Sequence, residues 1–391
     1  MKRIFLSILM LLGLVAGASA QRANAVCGPY VQCVSETGFT VIWTTDQEAV
    51  AWVEVAPDDG THFYNKERDK YYDMRGNGVH PIGKIHKVEV DGLEPGTTYR
   101  YRIMYKGVLA YNGQGDVQYS HPNGTDVYRG QPHKITTFKK EYDELRFDIF
   151  NDIHGKDSLF NTILSGARDN RNFVFLNGDM TSNIAREEMI PTMYLKSAAK
   201  SFKGSIPMFV SRGNHELRGR EAIRWFDWFS TPTGTPYYSF SIGKFFFVVL
   251  DACEDKPDSD IEYSGIVASR PYILRQEKWL KQVLASEECK NAEVRIAFCH
   301  VPPDLKGWFG PAQMCELLVP HLNEADIDVM FCGHIHKWRV DAPGTVSNAN
   351  FPVISNPNMQ RMEVTATKKS VQVSTFDTNG KNTHNHTLNL K

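Results

Sequence analysis

The hydrophobic positions of this chain fall into two regimes. From Leu145 onward, short apolar runs take turns with stretches of helical spacing. Leu145, Phe147 and Ile149 alternate with Arg146 and Asp148, which predicts a half-buried strand ending near Asp152. Phe173 to Leu176, Ile206 to Val210, Val294 to Phe298 and Val329 to Phe331 are short, apolar and mostly rich in Val, Ile or Phe, and they read as fully buried strands. Between them, Leu159, Ile163, Leu164 and Ala167 recur at three- and four-residue intervals, as do Trp279, Leu280, Val283 and Leu284; Ala312 to Asn323 is a third helical candidate. Strand and helix alternating in this way predict an α/β, sheet-based region. Beyond His336 the chain turns β-rich again. Val371 to Phe376 alternates, Asp377-Thr378-Asn379-Gly380 is turn chemistry, and a last strand is expected to complete the sheets.

The region from about Ala25 to Phe138 shows no helical periodicity. Thr40 to Thr44, Ala51 to Val55 and His86 to Val90 are β-prone runs, followed by a phrase from Gly92 to Ile103 with Leu93, Pro95, Tyr99 and Tyr101. Tyr111 to Gln131 is rich in Gly and Tyr and suits an extended loop. Lys139 to Glu144 is charged and fits a linker. The pattern divides the chain into residues 21–142 and 143–391 behind a leader of residues 1–20. In that leader, Lys2 and Arg3 precede an apolar stretch from Ile4 to Val15, and Ala18-Ser19-Ala20 supplies the small residues that a signal peptidase needs. The stretch is too short to favour a membrane span. The expectation is cleavage near Ala20, export to a periplasm or the outside, and no transmembrane segment in the mature chain.

Composition adds two constraints. Lys plus Arg number 44 against 45 Asp plus Glu, so no charge excess points to nucleic acid or anionic membranes. Seven cysteines are an odd number for an exported chain. Cys27 and Cys33 are either a disulfide or two separate small apolar residues. Cys253, Cys299 and Cys332 read as buried small side chains, with a thiolate ligand at Cys299 or Cys332 as the alternative.

Candidate chemistry sits just past the strand signals. Asp152-Ile153-His154, Gly178-Asp179, Gly213-Asn214-His215-Glu216, Cys299-His300 and Gly333-His334-Ile335-His336 supply carboxylates, an amide and imidazoles, the donors that zinc and first-row transition metals take. Polar groups placed beyond strand ends converge on one edge of a sheet. The Gly-Asp and lone-His fragments are weak signals singly; all five in this order are strong.

In order and identity, these five segments resemble the calcineurin-like metallophosphoesterase superfamily. That resemblance implies a two-sheet sandwich flanked by helices (α/β/β/α), a dinuclear metal centre, and phosphoester hydrolysis by in-line attack of a metal-bridging hydroxide. Carried over by motif, Asp152, His154, Asp179 and His336 would hold one ion, and Asp179, Asn214, His300 and His334 the other, with Asp179 as the bridge. His215 would face the leaving-group oxygen as general acid or transition-state stabiliser. The Gly92 to Ile103 phrase resembles the fibronectin type III signature, which implies an all-β immunoglobulin/fibronectin type III-like sandwich. Purple acid phosphatases carry a similar sandwich ahead of their catalytic domain. Two departures bear on the metals: Ser182 stands where those enzymes use a tyrosine to bind ferric iron, and their first motif lacks the counterpart of His154. Both favour two divalent ions, Mn, Zn or ferrous Fe.

Around the motifs, Glu216 is a candidate for orienting a ligating histidine and Arg218 for meeting a phosphoryl oxygen, with a salt-bridged surface pair as the bland alternative. Trp308 is either an aromatic wall for a ring-bearing leaving group or a loop aromatic packed on the core. The Tyr111 to Gln131 loop either reaches over the catalytic face or is inert surface. His384 and His386 share a strand face, lack a nearby carboxylate and read as exposed. The expected function is that of an exported phosphomonoesterase acting on a small-molecule phosphoester, with a phosphodiesterase on the same metal core as the alternative. A reading of another class, a non-catalytic binding protein with an adhesion-type sandwich, is opposed by the complete set of donors.

Overall fold

The computed structural model describes residues 22–390, so the leader expected at residues 1–20 lies outside the described part. The N-terminal third is all β. Its backbone is one long strand, Phe39–Pro57, that serves both layers of a sandwich. The first half pairs antiparallel with Ala25–Gln32 and Gly83–Val90, and the second half with Thr98–Tyr111 and Lys70–Tyr72. Thr40 to Thr44 and Ala51 to Val55 are separate β-prone runs in the sequence, with the polar stretch from Thr45 to Glu48 between them. Here it is a register irregularity within a continuous strand, where the chain changes partners without turning. In the Gly92 to Ile103 phrase, the Tyr99 hydroxyl accepts a hydrogen bond from the Glu94 backbone N–H at 2.9 Å, which pins the strand entry.

Tyr111 to Gln131 is mostly loop but contributes the short strands Val117–Tyr119 and Asn123–Gly124 to its own sandwich. Its side chains bond within that domain as well: Tyr111 to Glu48, and Asn123 to the Ala23 carbonyl. The inert-loop reading is the one this placement fits.

Residues 144–389 form two six-stranded sheets packed face to face. In one the order is Met208–Ser211, Phe173–Asn177, Glu144–Phe150, Arg361–Thr367, Ser370–Phe376 and Asn382–Asn389. In the other it is Tyr238–Ile242, Phe245–Leu250, Val294–Cys299, Val329–Cys332, Val353–Ser355 and Arg339–Asp341. The strands with the apolar runs are parallel, and all but the edge strand Met208–Ser211 lie inside their sheets, as buried runs favour. Side chains alternate between layers: Phe173 and Phe175 point between the sheets while Val174 and Leu176 meet the outer helices. Between the sheets, Phe175 stacks on Phe298 with centroids 3.8 Å apart, Phe209 on Phe240 at 3.9 Å, and Phe240 on Phe247 at 4.6 Å. Helices Asp157–Ser165 and Lys196–Phe202 cover one outer face, and Ser269–Leu284, Phe309–Leu317 and Val319–Glu324 the other.

The expected helix from Ala312 to Asn323 is two helices. They break at Leu318, just before Pro320, whose missing N–H cannot continue the first. The tail after His336 does complete the sheets, through Ser370–Phe376 and Asn382–Asn389, but Arg361–Thr367 also joins them without having been expected. His384 and His386 are half-buried instead of exposed; His384 stacks on Trp338 with centroids 4.9 Å apart. All seven cysteines are free, so Cys27 and Cys33 are not bridged. Cys299 and Cys332 are buried in the apolar cluster under the outer helices, Cys299 Sγ 3.6 Å from Met314 Sδ, and among the described residues neither joins a group of converging metal donors. Among the described residues, no helix is long and apolar enough to cross a membrane.

The sandwich is seated on the catalytic layers. Tyr30 donates to the Trp228 carbonyl at 2.5 Å, Tyr101 to the Gly204 carbonyl at 2.7 Å, and the Lys87 ammonium to the carbonyls of Phe226 and Phe229 at 2.5 and 2.6 Å. Cys27, Tyr30 and Ile42 share one apolar cluster with Phe202, Trp228 and Phe229.

Candidate metal centre

Each motif leaves the C-terminal end of a parallel strand, and the loops are tied to each other by backbone hydrogen bonds. Asp152 N–H donates to the Gly178 carbonyl at 3.1 Å, and His154 N–H to the Asp179 carbonyl at 3.0 Å. Asp152, His154, Asp179, His334 and His336 all have positive φ, between 49° and 68°. A non-glycine residue rarely adopts that conformation, and each costs about 1–3 kcal/mol. Two glycines are fixed by close approach. A Cβ at Gly213 would lie 2.3 Å from Asp179 Oδ1, and one at Gly333 2.7 Å from Asp152 Oδ2.

The side chains converge in overlapping groups. Asp152, His154 and His336 form one, Asp179, His300 and His334 a second, and His154, Asp179 and His215 a third, each with its donor atoms within 4.8 Å of one another. Asp152 Oδ1 lies 3.1 Å from His336 Nε2, 3.7 Å from His154 Nε2 and 3.8 Å from His300 Nε2. Asp179 Oδ2 lies 3.0 Å from His300 Nε2 and 3.9 Å from His215 Nε2. Asn214 joins the second group through its Oδ1, 3.1 Å from His334 Nδ1.

A metal fits this arrangement on two counts. Asp152 Oδ1 and His300 Nε2 are buried and off the line of any hydrogen bond despite their close neighbours, so their lone pairs aim at a common space instead of at each other. Second, His300 Nδ1 sits 2.7 Å from the Asn177 carbonyl, which can only accept; Nδ1 therefore carries the proton and Nε2 is presented as a ligand. Burial alone pulls the His300 pKa down, but Asp179 and Asp152 outweigh it and raise it to about 10. The field that holds a proton there favours a divalent cation equally. Burial also works against ionised Asp152, yet His300, with His154 and His336 close by, holds its carboxyl well below the usual range. His334 goes the other way, down to about 4, through burial and the neighbouring His300.

His215 hangs at the edge of the centre. Its Nδ1 lies 2.8 Å from the Ser182 carbonyl, which fixes the tautomer and leaves Nε2 facing Asp179 and the open side. Ser182 Oγ, at the position of the missing tyrosine, donates to the His154 carbonyl at 3.2 Å and is turned away from the ligand groups.

Glu216 does not orient a histidine. Its buried carboxylate accepts from the backbone N–H groups of Asp179, Met180, Thr181 and Gly213, at 2.7–3.2 Å, and so clamps two motif loops together. Nor do Glu216 and Arg218 form a surface pair. Arg218 is bidentate to Glu254 at 3.2 Å and also reaches Asp255 and Glu262, with its Nη1 3.4 Å from His215 Nε2. Arg212 is drawn off to Asp251 at 2.8 Å. Trp308 is 62% exposed and packs on no core; the Lys256 ammonium lies 5.5 Å from its ring centroid. Sequence reasoning missed the loop after Phe245–Leu250, which brings Asp255 Oδ2 to 3.8 Å from His334 Nε2. It is a sixth strand-end loop on the same sheet edge, and its signal, Asp251 directly after a buried apolar run, was available.

Residues 145–338 match the family model of the calcineurin-like phosphoesterases, and residues 27–123 that of the purple acid phosphatase N-terminal domain. Purple acid phosphatase 23 of Arabidopsis thaliana is 22% identical over 357 residues, covering 77% of this chain and 71% of the plant protein. The serine/threonine-protein phosphatase CPPED1 of Mus musculus is 30% identical over 173 residues, 42% of this chain and 51% of its own length. The chain thus spans about half the length of that relative. Among solved structures, the purple acid phosphatase PPD1 of yellow lupin superposes with a TM-score of 0.66 at 15% identity, over 94% of this chain and 74% of that one. PhoD superposes with a TM-score of 0.60 at 14% identity over 91% of both chains. At these identities the two structures establish the fold.

Proposed function

Because the chain joins a calcineurin-like phosphoesterase domain to a purple acid phosphatase N-terminal domain, and is a metal-dependent phosphoester hydrolase, we propose that it hydrolyses phosphomonoesters at the centre around Asp152 and Asp179. The observation that carries this reading is the pair of buried donors, Asp152 Oδ1 and His300 Nε2, that face the centre with no hydrogen-bond partner. Asp152, His154 and His336 would hold one divalent ion, and Asn214, His300 and His334 the other, with Asp179 shared between them. Two such ions would supply Lewis acidity toward phosphoryl oxygens and lower the pKa of water.

The remaining work belongs to the chain's own groups. Asn214 adds a donor without adding charge, so an anionic ester is less repelled. His215 presents Nε2 on the open side of Asp179; with Nδ1 donating to Ser182, the imidazolium form is the one that can donate from Nε2 to the leaving-group oxygen and steady the charge that develops there. Arg218 holds a positive charge beside that nitrogen. With Ser182 at the tyrosine position and His154 added, the centre has an imidazole in place of a phenolate, which suits Mn, Zn or ferrous iron better than ferric iron. The basic, apolar and small-residue pattern of residues 2–20 supports export.

The test is hydrolysis of a chromogenic phosphomonoester and a bis-phosphodiester by protein that has been stripped with chelator and resupplied with single metals. We expect turnover of the monoester to vanish on chelation and to return with at least one of the three ions. Preference for the diester would reassign the reaction, and activity that survives chelation would remove the metal centre from it.

A further inference from the structure

His215 and Arg218 share one edge of the centre because of the turn between them. His215–Leu217 is a single 3-10 turn capped by Arg218, whose N–H donates to the His215 carbonyl at 3.2 Å, and side chains three residues apart on such a turn lie one above the other. Arg218 Nη1 consequently reaches His215 Nε2 and donates to it at 3.4 Å. The Arg218 carbonyl accepts from the Ile184 N–H at 2.7 Å, which holds the backbone in place.

The rest of the guanidinium is gripped from behind. Nε and Nη2 donate to the two oxygens of Glu254, each at 3.2 Å, Nη2 also lies 3.4 Å from Asp255, and the Tyr263 ring centroid is 5.8 Å from the guanidinium carbon. A carboxylate that meets a guanidinium at two points fixes its plane as well as its place. Glu254 itself is fully buried, and among the described residues it joins no group of converging metal donors. Its loop is locked too: the Gly310 N–H donates to the Asp255 carbonyl at 3.0 Å, and a Cβ at Gly310 would lie 2.3 Å from the Glu254 carbonyl oxygen. Glu254 therefore decides where Nη1 points. That nitrogen faces His215 Nε2, on the leaving-group side, and its other neighbour is the exposed Glu262 at 3.2 Å.

We propose that Arg218 is a second catalytic donor, whose Nη1 moves from His215 Nε2 to the leaving-group oxygen as the ester bond breaks, and that Glu254 is the positioning residue that aims it. The inference rests on the phosphoesterase reading and adds two residues to its chemistry. A water oxygen bonds to phosphorus, the bond to the alcohol oxygen breaks with its electron pair, and that oxygen gains the proton that water loses. Arg218 keeps its own protons; its hydrogen bond spreads the charge on the departing oxygen over two donors, itself and His215.

The test uses the metal-loaded full chain with n-butyl phosphate and dinitrophenyl phosphate. The departing butoxide needs a donor, whereas dinitrophenolate is a stable anion and does not. Arg218→Lys keeps a cation opposite Glu254 but loses the planar fork. We expect it to lower kcat for butyl phosphate about a hundredfold, and to change kcat for the dinitrophenyl ester and both KM values by less than about threefold. Glu254→Gln should lower kcat for butyl phosphate about tenfold and add nothing in the Arg218→Lys background. Read alone on the same two esters, Glu254→Gln carries the test if Arg218→Lys does not fold. An equal loss on both esters, an unchanged kcat for butyl phosphate, or effects of the two substitutions that add in full would overturn the inference while leaving the phosphoesterase standing. No turnover of either ester by the unaltered protein with any metal would overturn the phosphoesterase reading, and this inference with it.

Discussion

Five side chains of the candidate metal centre sit on left-handed backbone, and that strain needs an anchor. Glu216 is the anchor with the most contacts: one buried carboxylate takes four backbone N–H groups from the Asp179 and Gly213 loops. Replacing one of its oxygens by an amide nitrogen sets donor against donor in a site that water cannot reach. Glu216→Gln is therefore expected to cost about 2–3 kcal/mol of stability, measured by urea unfolding. It should also weaken metal binding by about tenfold to a hundredfold, measured by competition with a chromogenic chelator. A variant of unchanged stability would mean that the loops are held by their mutual backbone bonds alone. Sequence reading singled Glu216 out, but as a partner for a histidine. Its real role depends on loops 37 residues apart meeting at the sheet edge, which no local pattern encodes.

At the scale of elements, the two sheets are held by interleaved phenylalanines, and Phe247 lies near the middle of that layer, stacked on Phe240 and edge-on to Phe147 and Phe173. Phe247→Ala should lower stability by about 3–5 kcal/mol, read as a shift of the urea midpoint, because the rigid neighbours cannot close the cavity. A loss under about 1 kcal/mol would mean that the sheets repack freely. Most of this architecture was legible in the sequence, since a buried parallel strand writes itself as an unbroken apolar run and a polar motif directly after it marks the sheet edge. What was not legible has particular causes. Thr44 to Glu48 carries the polarity of a turn but is a partner change within one strand. Leu318 interrupts a helical pattern that apolar spacing alone joins across Pro320. Trp308 reads as core by residue type, yet it stands on a loop that leads away from the apolar clusters.

For the molecule as a whole, the sandwich and the catalytic layers share apolar packing and buried hydrogen bonds, so the N-terminal domain is a structural part of the catalytic body. Its own stability should carry a pH signature. His86 is buried, with Nε2 2.9 Å from Thr45 Oγ1, and burial first of all lowers its pKa from 6.5 to about 4; Asp73 opposes this and Arg75 adds to it. The folded state keeps His86 neutral down to about pH 4 while the unfolded chain takes up a proton near pH 6.5. The contribution is thus complete above pH 6.5 and is lost as pH falls toward 4, by up to about 3 kcal/mol. Urea unfolding of the native protein and of His86→Gln at pH 7 and at pH 4.5 should show a shallower decline in the variant; parallel declines would assign the effect to other groups. The central claim is that this sheet edge holds two metal ions with Asp179 between them. The most direct test is anomalous diffraction from crystals of protein stripped and reloaded with Mn or Zn. The account predicts two peaks about 3.5–4 Å apart beside Asp179, and none or one in a folded Asp179→Asn variant. A single peak in the unaltered protein, or two that persist unchanged without the Asp179 carboxylate, would contradict it.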